Sequence, residues 1–187
     1  MLNLKQRTKL LQIARESINA VLQGRRPQLD AEGVDEDLRK PSGCFVTLRT
    51  RHGELRGCIG SIVPVAPLYQ AVSSSAISSA LRDPRFMPLR PEELPQVGIE
   101  ISVMGPIEPV PNVDAIEVGR HGLIVTLGRR AGLLLPQVAT EYGWDRQTFL
   151  RQTCFKAGLP PDSWHASDCR LEYFSAEVFS EQNTENK

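Results

Sequence analysis

The chain has no long apolar run, no excess of either charge and no paired cysteines. None of its hydrophobic stretches approaches the ~18 residues that a membrane span requires. Lys plus Arg number 22 and Asp plus Glu number 22. There is thus no basic field to invite nucleic acid and no acidic field to suggest a solvating tail. The four cysteines stand at 44, 58, 154 and 169 without a CxxC pair. That spacing argues against both a zinc ribbon and a disulfide scaffold. The opening segment MLNLKQRTKLLQIARESINAVLQG is broken by charges every three or four residues, unlike a signal peptide. With reduced thiols, this points to the cytoplasm. Apolar residues make up 41% of the 187, enough for a packed core, so disorder is excluded as the general state.

The length suits a single domain spanning 1–187, with order expected from about residue 5 to 180. Leu10, Leu11, Ala14, Ile18, Val21 and Leu22 recur at helical spacing, and Gly24 is a natural stop. Residues 25–42 read as a polar loop with room for a short helix. A hairpin follows, from Cys44–Arg49 through Arg51-His52-Gly53 to Glu54–Ile59, with Gly60 ending the strand. Leu68–Leu81 reads as a helix rich in serine (73, 74, 75, 78, 79). Serine is a mediocre helix former, so close packing must stabilise it. Asp83-Pro84 ends that helix.

Val97, Ile99, Ile101 and Val103 alternate with Gly98, Glu100 and Ser102, as in a half-buried strand. Gly105–Pro111 reads as a proline-rich connection. A second hairpin joins Leu123–Leu127 to Leu133–Leu135 around residues 128–132. Pro136–Tyr142 reads as a short helix, and Asp145 is the N-cap of another that ends at Gly158. A last strand spans Arg170–Phe179, and the tail SEQNTENK reads as frayed. Hairpins and irregular links, without regular βαβ units, predict an α+β fold with a mostly antiparallel sheet and flanking helices.

The chemistry concentrates in Leu55-Arg56-Gly57-Cys58-Ile59-Gly60-Ser61. On a strand, Leu55, Gly57 and Ile59 share one face and suit a core, whereas Arg56 and Cys58 share the other. A guanidinium beside a thiol favours the thiolate. Gly57 and Gly60 permit close approach by a ligand, and Gly60 permits positive φ. The Gly60 and Ser61 amides could then form an anion-binding nest. The plainer reading is a packed cysteine, with Arg56 in an ordinary ion pair to Glu54. His121, in the turn Gly119-Arg120-His121-Gly122, is a candidate acid or base. Its plainer reading is a solvent-exposed turn histidine. Asp83 and Arg85 are candidate ligand contacts, with a simple turn and ion pair as the structural alternative. Phe86, Trp144 and Trp164 read as packing residues. His165 and Cys169 do not form a metal site if a local strand separates them.

The ordered set Leu55-Arg56-Gly57-Cys58-Ile59-Gly60, Asp83-Pro84-Arg85-Phe86, Glu100-Ile101-Ser102-Val103, His121-Gly122-Leu123, Leu135-Pro136-Gln137-Val138, Gly143-Trp144-Asp145 and Lys156-Ala157-Gly158-Leu159 resembles the AMMECR domain family. Microbial members of that family are called AmmeMemoRadiSam system protein A. The resemblance runs from about Leu10 to Phe179; the one mild deviation is serine where alanine is expected before Asp83. It implies a larger and a smaller lobe with a cleft between them near the cysteine motif. It also implies association with a Memo-like protein and a radical SAM protein. Iron and SAM would belong to those partners, because this chain has neither a CxxxCxxC cluster signature nor a facial triad; no cofactor of its own is expected. The resemblance does not supply a reaction.

Two readings stand open. In the first, the protein is an enzyme with Cys58 as nucleophile or carrier, Arg56 assisting the thiolate or an anionic group, and His121 as acid or base. In the second it is a non-catalytic adaptor or ligand-binding module in which Cys58 only packs. A nucleic-acid role, resting on Arg25-Arg26 and Arg129-Arg130 alone, is remote.

Overall fold

A computed structural model of the chain describes residues 1–31 and 33–184. The elements run α1 (Leu4–Leu22), α2 (Glu36–Arg39), β1 (Cys44–Thr50), β2 (Leu55–Ser61), α3 (Leu68–Leu81), a 3-10 helix (Pro91–Gln96), β3 (Val97–Pro109), β4 (His121–Leu127), β5 (Arg130–Leu134), α4 (Pro136–Glu141), α5 (Arg146–Lys156), β6 (Arg170–Ser180) and α6 (Glu181–Thr184). Short 3-10 turns at Val113–Ala115 and Ser163–His165 complete the set. The fold is α+β. Six strands are ordered β2-β1-β3-β6-β4-β5, and β1–β2, β1–β3, β4–β5 and β4–β6 pair antiparallel. The chain divides into two compact units, Met1–Met104 with Glu177–Lys187, and Gly105–Ala176. No described helix is long and apolar enough to cross a membrane.

In the first unit, α1 opens with a capping box. The Asn3 side chain accepts from the Gln6 amide, and Gln6 returns the bond to the Asn3 amide. Its apolar stripe, Leu10, Ala14 and Ile18, is buried with Val72 and Ala76 of α3, Val46 and Leu48 of β1, and Ile99 and Ile101 of β3. Period 3.6 on the helices and period 2 on the strands aim these side chains at one core. Glu181 fastens the C-terminal segment. It accepts from Arg15 Nε and Nη2, each at 2.6 Å, and from the Ile99 amide at 2.9 Å. The segment read as frayed is thus anchored at its start, and residues 185–187 lie outside the described residues.

In the second unit, Leu123, Ala139, Phe149 and Leu150 form one cluster with Ile116. Val125, Cys154, Ala157 and Leu159 form another. Asp145 caps α5 as expected, accepting from the Thr148 amide at 2.8 Å. The β4–β5 turn is tighter than expected. Leu127 pairs with Arg130, leaving Gly128 and Arg129 as a two-residue turn. Gly128, at φ 59°, takes the left-handed first position that glycine favours.

Two strand expectations change. β3 continues through the segment read as a proline-rich connection, and the Val110 amide still bonds to the Leu171 carbonyl. The alternation also breaks at Ser102, which is 1% exposed, while Val103 is only partly buried.

The serine-rich helix lies against the sheet as its small side chains require. A Cβ on Gly57 would sit 2.2 Å from the Ser79 carbonyl oxygen of α3. Ser79 Oγ donates to the Val46 carbonyl at 2.7 Å and accepts from the Ile59 amide at 2.8 Å, bridging β1 and β2. A Gly57→Ala substitution forces α3 off β2, and overpacking of this kind costs about 2–3 kcal/mol. Urea denaturation measures it; a loss under about 0.5 kcal/mol would show that α3 is free to move.

Candidate functional site

β2 is an edge strand, so part of its backbone has no neighbouring strand to bond. At Cys58 that gap is filled by the turn leaving α3. The Cys58 amide donates to Asp83 Oδ2 at 2.8 Å, and the Cys58 carbonyl accepts from Arg85 Nη2 at 3.2 Å. Asp83 and Arg85 are themselves paired. Arg85 Nη2 meets Oδ2 at 2.7 Å, while Arg85 Nε and its amide reach Oδ1 at 2.9 and 3.1 Å. The Asp83 side chain is 1% exposed, whereas Arg85 stays half in solvent. The Arg85 guanidinium holds the Asp83 carboxyl far below the usual carboxylate range, helped by the two backbone amides and opposed by burial.

Cys58 is partly buried and unpaired, as are all four cysteines in being free thiols. Cys58 and Thr47 are cross-strand partners, and Thr47 Oγ1 donates to Cys58 Sγ at 3.2 Å. Thr47 is buried, so this hydroxyl is a fixed donor aimed at the sulfur. It is oriented to solvate negative charge there. Arg85 completes the surroundings, and its hydrogen-bonded pairing with Asp83 raises its guanidinium pKa.

Arg56 is committed elsewhere. Its Nε and Nη2 grip Glu93 at 3.1 to 3.3 Å. The partner is therefore Glu93 from the 3-10 helix, in place of the expected Glu54. Nη1 of Arg56 is buried without a hydrogen-bond partner. Glu93 is held below its ordinary pKa first by the Arg90 amide and then by Arg56. Phe86 is only partly buried, and its ring lies 6.0 Å from the Arg56 guanidinium and 5.5 Å from that of Arg85. It packs against cations more than against the core.

The glycines serve the protein's own packing. The space beside Gly57 holds Ser79, and a Cβ on Gly60 would meet the Cys44 carbonyl oxygen at 2.2 Å. Gly60 and Ser61 continue β2, paired with Phe45 and Cys44, and Gly60 does not adopt positive φ. Their amides are extended, so the expected nest is not formed. Leu55, read as a core residue, is 36% exposed.

His121 lies in the second unit as the first residue of β4, opposite Ser175. It is buried, so neither the flexible-turn nor the exposed-turn reading describes it. Its ring packs 4.6 Å from Tyr173, and Nδ1 accepts from the Glu117 amide at 3.1 Å. With Nδ1 engaged by that amide, Nε2 is the ring nitrogen left to meet another group.

Trp144 and Trp164 pack against the second unit's clusters. His165 ends a 3-10 turn, and a bend and a turn over residues 166–168, not the expected strand, separate it from Cys169. Among the described residues no group of three or more His, Cys, Asp or Glu side chains could hold a metal ion.

Comparison with known proteins places these features in a family context. A family model described as AMMECR1 matches residues 11–179. A protein of Thermococcus gammatolerans is 44% identical, covering 92% of this chain and 89% of its own. One of Methanopyrus kandleri is 43% identical, covering 98% and 92%. The crystal structure of an uncharacterised protein from Pyrococcus horikoshii is similar with a TM-score of 0.88 and 40% identity, over 95% of this chain and 92% of that one.

Two outcomes follow from the clamp on Cys58. Asp83 has a depressed carboxyl pKa, so its contribution to stability is full above the unfolded value of ~3.9 and fades as pH falls through the folded value. Asp83→Asn costs about 2 kcal/mol near pH 7 by leaving its partners poorly matched. It also flattens the loss of stability below about pH 5. Urea midpoints measured from pH 7 to 2 check both, and an acid slope unchanged in the variant counts against the assignment.

Proposed function

The chain belongs to the AMMECR1 family, and from that premise we propose that it is a thiol-dependent enzyme or modification factor, acting with Memo-like and radical SAM proteins, in which Cys58 supplies the reactive atom. One observation carries the reading. The Cys58 backbone is held at both its amide and its carbonyl, and a buried hydroxyl is donated to its sulfur. A nucleophile or covalent carrier needs its reacting atom in one position, and fixing it removes much of the entropic barrier to reaction. Asp83 and Arg85 then act as positioning residues, and Arg56 with Glu93 braces the strand two residues before the thiol.

The adaptor reading draws on a different observation. Gly57, Gly60, Asp83 and Arg56 each have an internal packing or pairing duty, so a motif built around Cys58 could serve architecture alone.

Site-resolved alkylation with iodoacetamide separates the two. In the enzyme reading Cys58 labels first and Thr47→Val changes its rate at least ~3-fold, a difference of about 0.65 kcal/mol. Cys44 and Cys154, both buried, label only on unfolding. Protein co-expressed with the two partners carries a mass adduct on the Cys58 peptide that Cys58→Ser abolishes without changing the fold. An unmodified Cys58 that labels no faster than Cys169 would favour the adaptor.

A further inference from the structure

A groove of about 420 Å3 opens in the first unit between the end of β2, the 62–67 loop and α3. It lies on the α3 side of β2, whereas the Cys58 side chain meets Thr47 on the other face. Its volume falls in the range of small-molecule sites, roughly 300–1,000 Å3. No charged side chain lines it. The Cys44 thiol at its back is 2% exposed, and burial pushes its pKa up to about 11, so it too is neutral near pH 7.

The polar side chains of the groove are five serines, the Cys44 thiol and the Gln70 carboxamide, and three of the serine hydroxyls have no internal bond among the described residues. Ser61 Oγ donates to the Val63 carbonyl at 3.2 Å, Ser75 Oγ lies 3.8 Å from Cys44 Sγ, and Gln70 Nε2 donates to the Tyr69 hydroxyl at 2.9 Å. Ser42, Ser74 and Ser78 line the groove, and none of their hydroxyls has a hydrogen-bond partner among the described residues. Ser74 and Ser78 weaken α3 relative to alanine and gain no internal bond in return. Larger aliphatic residues here would fill the space and strengthen the helix. The rim is apolar and stiff. Val63 and Val65 are 55% and 78% exposed on a loop whose Pro64 and Pro67 have fixed φ.

We propose that this groove binds an uncharged small molecule, with its apolar body against Val63 and Val65 and its carbonyl or amide groups bonded to Ser42, Ser74 and Ser78. A charged ligand finds no counter-ion here and would lose hydration without compensation. The proposal stands apart from the thiol reading, because it does not require Cys58 to react.

Titration of the full 15N-labelled chain with nicotinamide, benzamide and nicotinate tests it. The two neutral amides are expected to shift the Gly60, Ser61, Ser74 and Ser78 signals saturably. Nicotinate, the same ring bearing a carboxylate, is expected to bind at least ~10-fold more weakly. Ser74→Ala with Ser78→Ala is expected to raise the thermal unfolding midpoint while weakening nicotinamide at least ~5-fold. The proposal is overturned if neither amide shifts these signals, if nicotinate binds as well, or if the double variant binds unchanged. Labelling of Cys58 is unaffected by any of these results, so the two readings fail separately.

Discussion

A carboxylate almost sealed from water holds the cysteine loop together. An edge strand leaves backbone groups open, and Asp83 with Arg85 closes both of those at Cys58. Burying a charge is costly unless it is paired and hydrogen-bonded. Asp83 meets that condition with a guanidinium and two backbone amides. The pairing is local, because Arg85 stands two residues away, so the turn leaving α3 carries its own compensation. Removing either partner would leave the other facing an unmatched strand edge.

The other side of β2 is set by an absence of atoms. Gly57 lets the α3 backbone approach so closely that Ser79 can bond into the β1–β2 ladder. Helix and exit turn thus bracket the strand from two directions. Between them the Cys58 backbone has little freedom, and its sulfur is left beside Thr47. The motif therefore divides its labour. Its glycines and its arginine pack and pair within the protein, and its sulfur accepts the hydroxyl of Thr47 from the neighbouring strand. Further along α3, on the glycine side of the strand, small residues in place of bulky ones leave the serine-lined groove.

Much of the fold was legible along the chain. The α1 stripe, the limits of α3, the Asp145 cap and the β1–β2 hairpin follow from local periodicity and turn chemistry, which act over a few residues. The family could be read from seven ordered motifs. The misreadings share a cause. Pro106 and Pro109 suggested a connection, yet β3 runs through them, because pairing is decided by neighbouring strands. Gly60 suggested a nest, but its glycine is required by contact with Cys44 and Phe45. His121 sat in an apparent turn and proved to be the buried start of a strand. Thr47 was missed because only the hairpin register sets it opposite Cys58, and Glu93 lies 37 residues from its partner Arg56.

By itself the sequence determined the elements, the α+β class, the family and the one loop worth inspecting, because periodicity, caps and turns are local properties of a chain. Only tertiary structure decided what each residue of that loop does. Asp83 reaching back to Cys58, Arg56 turning to Glu93 and Ser79 entering the ladder are contacts between distant segments. Their energies depend on burial and geometry that appear only when the chain has folded.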